Sequence, residues 1–214
     1  MSDYVDWKAL PSDITEDVEV PHFKTLIHEF LQHQVGLPPT KELDLSSKIN
    51  IYMSAIAIFR APSDICGVHG MAREQVHATP RWGKFRVPRY DTTFVVTNPN
   101  IPGMGGLDIA RVKLFFSFEH CNRTYLCVLV HWFSKISEEP DVNTGMWQVE
   151  PDFDADREPL QAVIHIDTMI RAAHLLGEPD GPLSASVTYV SALDLFVSFY
   201  INKYVDHHVY EIAF

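Results

Sequence analysis

Two apolar runs joined by a short polar link constrain the fold more than any other feature of this sequence. The first run, Ala110–Phe118, places valine, leucine and phenylalanine at alternate positions, and the second, Tyr125–Phe133, is largely apolar. Alternation with a period of two is typical of a β-strand with one buried face, and a continuous apolar stretch indicates burial on both faces. Because the link His120–Arg123 is so short, we predict an antiparallel hairpin at the centre of a bent sheet.

Other strands are predicted from runs rich in valine, threonine and aromatic residues that end at turn residues. Tyr90–Thr97 ends at Asn98-Pro99-Asn100, and two shorter strands are predicted at Gly145–Val149 and Ala162–Ile166. The apolar run Ile49–Phe59 is also predicted to be a buried strand, although its pattern is compatible with a helix as well. Short strands separated by glycine and proline indicate an antiparallel sheet or a small barrel.

Helical spacing is found near both ends of the chain. Apolar residues recur at steps of three and four in Phe23–Leu31, and Gly36 with the prolines that follow it predicts the end of this helix. Near the C-terminus, Ser191 followed by Asp194 resembles a capping box, and apolar spacing predicts a second helix over Leu193–Tyr204. We therefore predict an α+β fold in which N- and C-terminal helices flank a strongly bent antiparallel sheet or small barrel.

Length and composition indicate a packed globular unit. The 214 residues are 46% hydrophobic, which is enough for a sizeable core. We expect an N-terminal arm and helix over residues 1–40 and a single β-rich domain over residues 41–214. Three cysteines without a C-x-x-C pair indicate neither a disulfide framework nor a structural zinc site, and no apolar run is long enough to span a bilayer. An intracellular protein, cytoplasmic or nuclear, with no membrane partner and no cofactor is expected.

The chain carries a formal net charge of −11, and this charge is unevenly distributed. Eight acidic residues and one arginine lie between Glu138 and Glu158, whereas residues 71–90 carry five basic residues and one acidic residue. An acidic surface repels phosphate backbones, so strong binding to nucleic acid is disfavoured and a basic partner is favoured. The candidate contacts for such a partner are Glu138, Glu139, Asp141 and Trp147.

A short basic strip is the local exception to the acidic charge. Basic and aromatic residues are interleaved between Arg81 and Arg89, as in platforms that stack single-stranded nucleic acid, although such residues also form ordinary solvated loops. Because so few charges neutralise only a few phosphates, we expect nucleic acid to bind weakly. The candidate contacts of this strip are Arg81, Trp82, Lys84, Arg86 and Arg89.

Eleven histidines raise the question of a metal site. His165, Asp167 and His174 are the most suggestive residues, since His165 and Asp167 would share one face of an extended strand. His174 would point the other way, and no H-E-x-x-H or comparable chelate spacing is present. Structural roles are favoured for these histidines, and a metal-dependent hydrolase or phosphoryl-transfer enzyme stays open as an alternative.

Several stretches of the sequence are similar to one known family. They are Ala61–Gly67 with Gly70-Met71, Arg89–Thr92, Gly106–Val112, Leu129–Phe133, Glu139–Asp141 with Thr144–Trp147, and His165–Thr168 with Arg171–Leu175. Over residues 48–214 they resemble the C-terminal module of proteins from the Plavaka branch of CACTA-like fungal DNA transposons. The resemblance implies a module of a longer mobile-element protein, separate from the three-acid core that cuts DNA, and it implies no catalytic residue in this chain.

The segment Arg111–Phe133 followed by Ala162–Leu175 also resembles, at the level of the fold, the bromo-adjacent homology domains, which are β-rich chromatin readers. Fold alone does not determine function. Together with the acidic charge, the resemblances favour a non-enzymatic interaction module that docks a basic segment, such as a histone tail or a region of a longer parent protein. The metal-dependent enzyme and the nucleic-acid binder are the alternatives.

Overall fold

The computed structural model describes residues 22–36, 49–62, 69–179, 181–182, 187–188 and 190–214. The arm predicted for residues 1–20 and Cys66 lie outside these ranges. The described elements, in chain order, are α1 (Phe23–His33), β1 (Asn50–Tyr52), β2 (Ser54–Arg60), β3 (Met71–Trp82), β4 (Val87–Tyr90), β5 (Thr92–Val96), a 3-10 turn (Gly103–Gly105), β6 (Leu107–His120), β7 (Arg123–Lys135), β8 (Gln148–Pro151), β9 (Gln161–His165), a 3-10 turn (Ile166–Thr168), β10 (Met169–Ala172), β11 (Leu175–Glu178), α2 (Ala192–Leu195), β12 (Ser198–Ile201) and α3 (His207–Ala213).

The hairpin of β6 and β7 is the centre of the larger sheet. Its antiparallel register runs from the pair Ile109 and Phe133 to the pair His120 and Arg123, so the predicted hairpin is confirmed and is longer than the apolar runs alone indicated. Cys121 and Asn122 form the turn with φ values of 52° and 58°. Two successive left-handed residues match the right-handed twist of the flanking strands, which is why so short a link suffices.

Short strands extend the hairpin on both sides. The free edge of β6 pairs with β5 at one end and with β1 at the other, and the free edge of β7 is shared in the same way by β8 and β9. β10 continues the sheet beyond β5, and β12 and β11 continue it beyond β8. The result is an α+β fold with a strongly curled antiparallel sheet, as predicted.

A second sheet of β2, β3 and β4 packs against one face of the hairpin. The run Ile49–Phe59 is therefore extended, as favoured, and is divided at Met53 between two strands that belong to different sheets. Val76 from the small sheet and Val112 and Val130 from the hairpin are among the buried residues of the core between them.

Helix α1 covers the turn end of the hairpin on the opposite face. The predicted helix over Phe23–Leu31 is confirmed, and its buried residues are Ile27, Phe30 and Leu31. The ring of Phe30 meets those of Phe118 and Tyr125 edge-on at 6.4 and 6.0 Å between centroids. Aromatic pairs in this arrangement add to the free energy gained by burial.

The helix predicted over Leu193–Tyr204 is wrong. The helical residues there belong to α2, which ends at Leu195, and the chain then forms β12, in which Phe199 and Ile201 are buried at alternate positions. The apolar residues satisfy both a helical and an extended period, and pairing with β8 and β11 decides for the strand. The Ser191 side chain does not cap α2, and the C-terminal helix is α3, which begins after Asp206.

The strand predicted over Gly145–Val149 begins three residues later, at Gln148. The Asp141 side chain accepts hydrogen bonds from the backbone of Asn143 and Thr144, and the N–H of Gly145 donates to the Asp141 carbonyl at 2.7 Å. This turn extends through Gly145 and delays the start of β8.

A buried arginine joins α3 to both sheets. Arg171 in β10 is 3% exposed, and its two terminal nitrogens donate to the carboxylate of Asp206 at 2.8 and 2.6 Å. Asp206 also accepts the N–H of Val209 at 2.9 Å and so caps α3. Nε of Arg171 lies 3.4 Å from Oε2 of Glu74 in β3, an ion pair without a hydrogen bond, and the guanidinium lies 4.8 Å from the ring centre of Phe59 in β2.

We expect the substitution Arg171→Gln to lower the free energy of unfolding by about 3–5 kcal/mol, because removing one partner of a buried ion pair leaves the other charge uncompensated. Urea denaturation at pH 7 measures this loss. Arg60→Gln makes the same charge change at the exposed end of β2 and should alter the free energy of unfolding by less than about 0.5 kcal/mol.

The pH dependence of this loss provides a second readout. Burial alone would raise the pKa of Asp206, but the hydrogen bonds from Arg171 and from the N–H of Val209 hold it below its ordinary value of 3.8. The stabilisation is therefore present above 3.8 and lost as the pH falls through the depressed pKa, so the difference between wild type and Arg171→Gln should shrink in acid. A difference that is below about 1 kcal/mol at pH 7 would contradict this role.

Candidate functional site

Three basic side chains interrupt the apolar face of the central hairpin. Arg111 in β6 is the register partner of His131 in β7, so their side chains share one face of the sheet. Lys113 occupies the bulge between Val112 and Leu114, where the register shifts. We refer to Arg111, Lys113 and His131 as the basic floor.

A cleft of about 700 Å³ lies over the basic floor. One wall is the segment Glu150–Phe153, which leads out of β8, and the other is the segment Leu193–Val197, which contains α2. The local fold explains the position of both walls, because β8 pairs with the end of β7 and the residues after α2 pair with β8. The cleft is therefore framed by strands of the same sheet that carries its floor.

Asp194 in α2 is the counterion of the floor. Nη1 of Arg111 donates to Oδ1 of Asp194, and Nη2 donates to Oδ2 at 3.3 Å. The hydrogen bonds from Arg111 hold the pKa of Asp194 below its ordinary value. The Arg111 side chain is only 10% exposed, and its Nε is buried without a hydrogen-bond partner. Asp194 thus satisfies two of the three nitrogens of this guanidinium.

Lys113 has an aromatic neighbour and makes no ion pair or hydrogen bond with the described residues. Its Nζ lies 4.7 Å from the ring centre of Tyr90, and Cζ of Arg111 lies 5.8 Å from the same ring. Burial lowers the pKa of Lys113, and the charge of Arg111 lowers it further. Two basic side chains therefore lie beside one ring, and of the two it is Arg111 that pairs with the Asp194 carboxylate.

The surroundings of His131 at the edge of the floor disfavour its protonated form. Its Nε2 donates to the backbone carbonyl of Asp152 at 2.8 Å, and its ring contacts that of Phe153 at 5.6 Å between centroids. Burial lowers the pKa of His131; the hydrogen bond to Asp152 acts in the opposite direction, and the charges of Lys113 and Arg111 lower the pKa further. The proton on Nε2 leaves Nδ1 as the acceptor of the neutral ring.

A second cleft, of about 450 Å³, lies on the other side of α2. It shares Arg111 and Leu193 with the first cleft. Glu74 and His174 line it and pair at 3.5 Å between Oε1 and Nε2. Burial alone would raise the pKa of Glu74, but the hydrogen bond from His174 and the charge of Arg171 hold it below its ordinary value. The Glu74 carboxylate thus interacts with His174 and Arg171 and has a structural role.

The basic strip lies on the hairpin of β3 and β4, and the structure divides it. Arg89 donates from Nε to Oδ1 of Asp91 at 2.8 Å, and its guanidinium lies 4.5 Å from the ring of Trp82. These two members of the strip therefore contact each other. Three exposed basic residues remain at and beside the hairpin tip, namely Arg81, Lys84 and Arg86.

The acidic candidates lie on the loop between β7 and β8. Glu138 and Glu139 are exposed. The hydroxyl and N–H of Thr144 and the N–H of Asn143 hold the pKa of Asp141 below its ordinary value, so this carboxylate serves the turn. Trp147 is partly buried against the core cluster that contains Phe199. Of these four candidates, two thus have structural partners.

The three candidate metal ligands lie in two places. Nδ1 of His165 is 3.3 Å from Oδ2 of Asp167, and the N–H of His165 donates to the Gln34 side chain beside α1. His174 pairs instead with Glu74 on β3. Within the described ranges, no group of three or more His, Cys, Asp or Glu side chains has the geometry to hold a metal ion.

Sequence reasoning missed the basic floor and its counterion. Arg111 and Lys113 were placed in a strand, but their charges were not recognised as a site. The signal was present, because two basic residues two positions apart within an apolar strand either need a partner or line a cleft. Asp194 carried no comparable signal, since its contact with Arg111 spans 83 positions of the chain.

Comparison of the chain with family models, with characterised proteins and with solved structures finds no match in any of the three. Among the described helices, none is long and apolar enough to cross a membrane. Function is therefore inferred from the contacts and charges of the two clefts and the hairpin tip.

We expect Lys113→Gln to raise the pKa of His131 towards 6.5, because the charge of Lys113 disfavours protonation of the nearby ring. NMR titration of the histidine ring signals measures this change. Lys24→Gln removes the same charge from the exposed side of α1 and should leave the His131 titration unchanged.

The free energy of unfolding should depend on pH in the direction set by the lowered pKa of His131. Because the fold lowers the pKa of His131, unfolding takes up a proton once the pH falls below 6.5, and the free energy of unfolding decreases as the pH falls from 6.5 to the depressed pKa. Identical His131 titrations in wild type and Lys113→Gln would show that the two groups do not share one electrostatic environment.

Proposed function

We propose that this chain is a non-enzymatic protein-interaction module that docks a basic, extended segment of a partner protein along the outer rim of the cleft beside α2, away from the basic floor. The observation that carries the proposal is the rim of this cleft, where exposed apolar side chains lie next to an acidic turn. A histone tail and a basic region of a longer mobile-element protein are both segments of the proposed chemistry.

The rim supplies apolar contacts. Phe153, Leu195 and Val197 line the cleft and are 52%, 55% and 71% exposed. Apolar side chains gathered around a concave site and open to solvent are typical of docking surfaces. An aromatic residue such as Phe153 is the type that dominates binding free energy when a partner buries it.

The acidic turn supplies the charge. The N–H groups of Asp156 and Glu158 donate to Oδ1 of Asp154 at 2.9 and 3.0 Å, which fixes the turn that follows Phe153. The side chains of Asp156 and Glu158 are exposed. Charge complementarity at such a rim attracts a lysine- or arginine-rich segment and suppresses acidic partners.

The fold supports a binding role over catalysis in one specific respect. Two carboxylates that line the clefts, Glu74 and Asp194, both have depressed pKa values. The hydrogen bond from His174 and the charge of Arg171 lower the pKa of Glu74, and the hydrogen bonds from Arg111 lower that of Asp194. A general acid at neutral pH needs the opposite shift. The metal-dependent enzyme through His165, Asp167 and His174 is accordingly not the function that we propose.

We expect Phe153→Ala to weaken binding of a fluorescein-labelled peptide of alternating lysine and leucine by at least about fivefold, because truncation of a large aromatic side chain that a partner buries costs about 1 kcal/mol or more. Fluorescence anisotropy at about 0.15 M salt measures the affinity. Phe85→Ala removes an exposed ring from the β3–β4 hairpin and should leave this affinity unchanged.

The charge contribution is tested with matched double variants. Asp156→Asn with Glu158→Gln should slow association, since rim charges act mainly on the on-rate. Glu138→Gln with Glu139→Gln makes the same charge change on the β7–β8 loop and should have a smaller effect. Peptide binding that is weaker than binding of duplex DNA, or that is insensitive to Phe153, would refute the docking proposal.

A second candidate function is weak binding of single-stranded nucleic acid at the tip of the β3–β4 hairpin. The specific observation is Phe85, which is 77% exposed with Nζ of Lys84 5.9 Å from its ring centre. Exposed aromatic rings flanked by basic residues stack bases. The acidic charge of the rest of the chain opposes this function.

For this candidate we expect affinity for oligothymidylate to fall with salt with a logarithmic slope of no more than about 2, because three exposed basic residues contact at most about three phosphates. Phe85→Ala should abolish the binding, and Phe153→Ala should not affect it. The two aromatic variants therefore separate the two candidate functions, and equal effects of both on oligothymidylate binding would contradict the assignment to the hairpin tip.

A further inference from the structure

The basic floor carries more positive charge than its counterion offsets. Arg111 and Lys113 bring two basic groups to the floor, and in the described part of the cleft Asp194 is the carboxylate that pairs with Arg111. The carboxylate of Asp152 accepts from the hydroxyl of Ser134 at 2.7 Å instead. Glu150 also lines the cleft but forms no ion pair with either group, so Nζ of Lys113 and the buried Nε of Arg111 have no acceptor among the described residues.

We propose that Arg111 and Lys113 form a binding site for a phosphate monoester, and that the Asp194 carboxylate is the intramolecular competitor of this ligand. A phosphate monoester carries nearly two negative charges at pH 7 and three acceptor oxygens. It offsets both cations, whereas a carboxylate offsets one.

The donors suit a phosphoryl group. A guanidinium presents several N–H groups in a fixed plane, and an ammonium acts as a movable point charge, and this combination recurs in phosphate recognition. Because Arg111 is buried, its interaction with an anion is screened less than it would be on an open surface. The cleft of about 700 Å³ leaves room for a side chain or small molecule that carries the phosphate.

Asp194 is weakly anchored apart from its contact with Arg111. It belongs to a helix of four residues, none of which is buried, and its side chain is 60% exposed. The flanking residues Leu195 and Val197 are exposed as well. A ligand that replaces the carboxylate therefore displaces few other contacts, and the apparent affinity is reduced by the competition.

Two sources could present such a phosphate, namely a phosphorylated side chain of a protein and a small phosphate ester. The site does not require the docked basic segment of the preceding proposal, because the floor and the acidic turn are different parts of the cleft. Inorganic phosphate and O-phosphoserine, which carry no basic residues and no peptide, test the site alone.

The test is titration calorimetry with inorganic phosphate, O-phosphoserine and a phosphoserine peptide at pH 7.5, on the full chain. We expect Lys113→Gln to weaken binding at least about tenfold and Asp194→Asn to tighten it several-fold, because one removes a ligand contact and the other removes the competitor. Lys24→Gln and Glu29→Gln, which make the same charge changes on the exposed side of α1, should leave the affinity within about twofold of wild type, since they alter only distant, screened charges.

Thermal melting reports whether Lys113→Gln perturbs folding. If it does, Lys113→Arg serves as the second variant, because it keeps the charge and should retain phosphate binding. Tighter binding of the phosphoserine peptide than of O-phosphoserine assigns the phosphate to a protein partner, and equal affinities assign it to a small ester; both outcomes support the site. Absence of phosphate binding to Asp194→Asn overturns the proposal. So does equal affinity for the phosphoserine peptide and for the same peptide with glutamate in place of phosphoserine. Failure of the lysine–leucine peptide to bind while phosphate binds removes the docking proposal alone.

Discussion

The fold depends on one buried guanidinium. Arg171 reaches Asp206 at the start of α3, Glu74 in β3 and the ring of Phe59 in β2, so a single side chain connects the C-terminal helix, the small sheet and the edge of the large sheet. A charge buried in this way is tolerated only when its partners are in place. Arg171 can therefore be buried only when α3, β2 and β3 are correctly packed around it. This requirement makes the arrangement of the two sheets specific as well as stable.

Among the described residues, the two buried arginines, Arg111 and Arg171, have different roles. Both have an Nε without a hydrogen-bond partner, but Arg171 lies among two carboxylates and an aromatic ring, whereas Arg111 pairs with one exposed carboxylate and lies beside a second basic group, Lys113. Arg171 is surrounded by fixed elements. Arg111 pairs with Asp194, which belongs to a four-residue helix between two clefts. We therefore assign a binding role to Arg111 and a structural role to Arg171.

The hydrophobic periodicity and the turn residues of the sequence predict the parts of the fold that depend on local contacts. The central hairpin follows from alternation in Ala110–Phe118 and a short link, and α1 follows from apolar spacing before Gly36. The segment Leu193–Tyr204 could not be predicted in this way, because its apolar residues fit both periods and the choice depends on pairing with β8 and β11. The candidate site could be predicted only in part: two basic residues inside an apolar strand mark the floor, but the carboxylate that covers it comes from 83 positions away.

The way in which β6 is paired sets the order in which contacts can form. Its partner β7 follows after a two-residue turn, so this hairpin closes on the microsecond scale from purely local contacts. The strand that completes its turn end, β1, lies 67 residues earlier in the chain, and the hydrogen bond from Ala172 to Glu74 spans 98 residues. Loops of this length close late and slow the search for the native state. Until β1 has paired, the turn end of the β6 edge is an unpaired apolar edge, which is the kind of edge that favours aggregation.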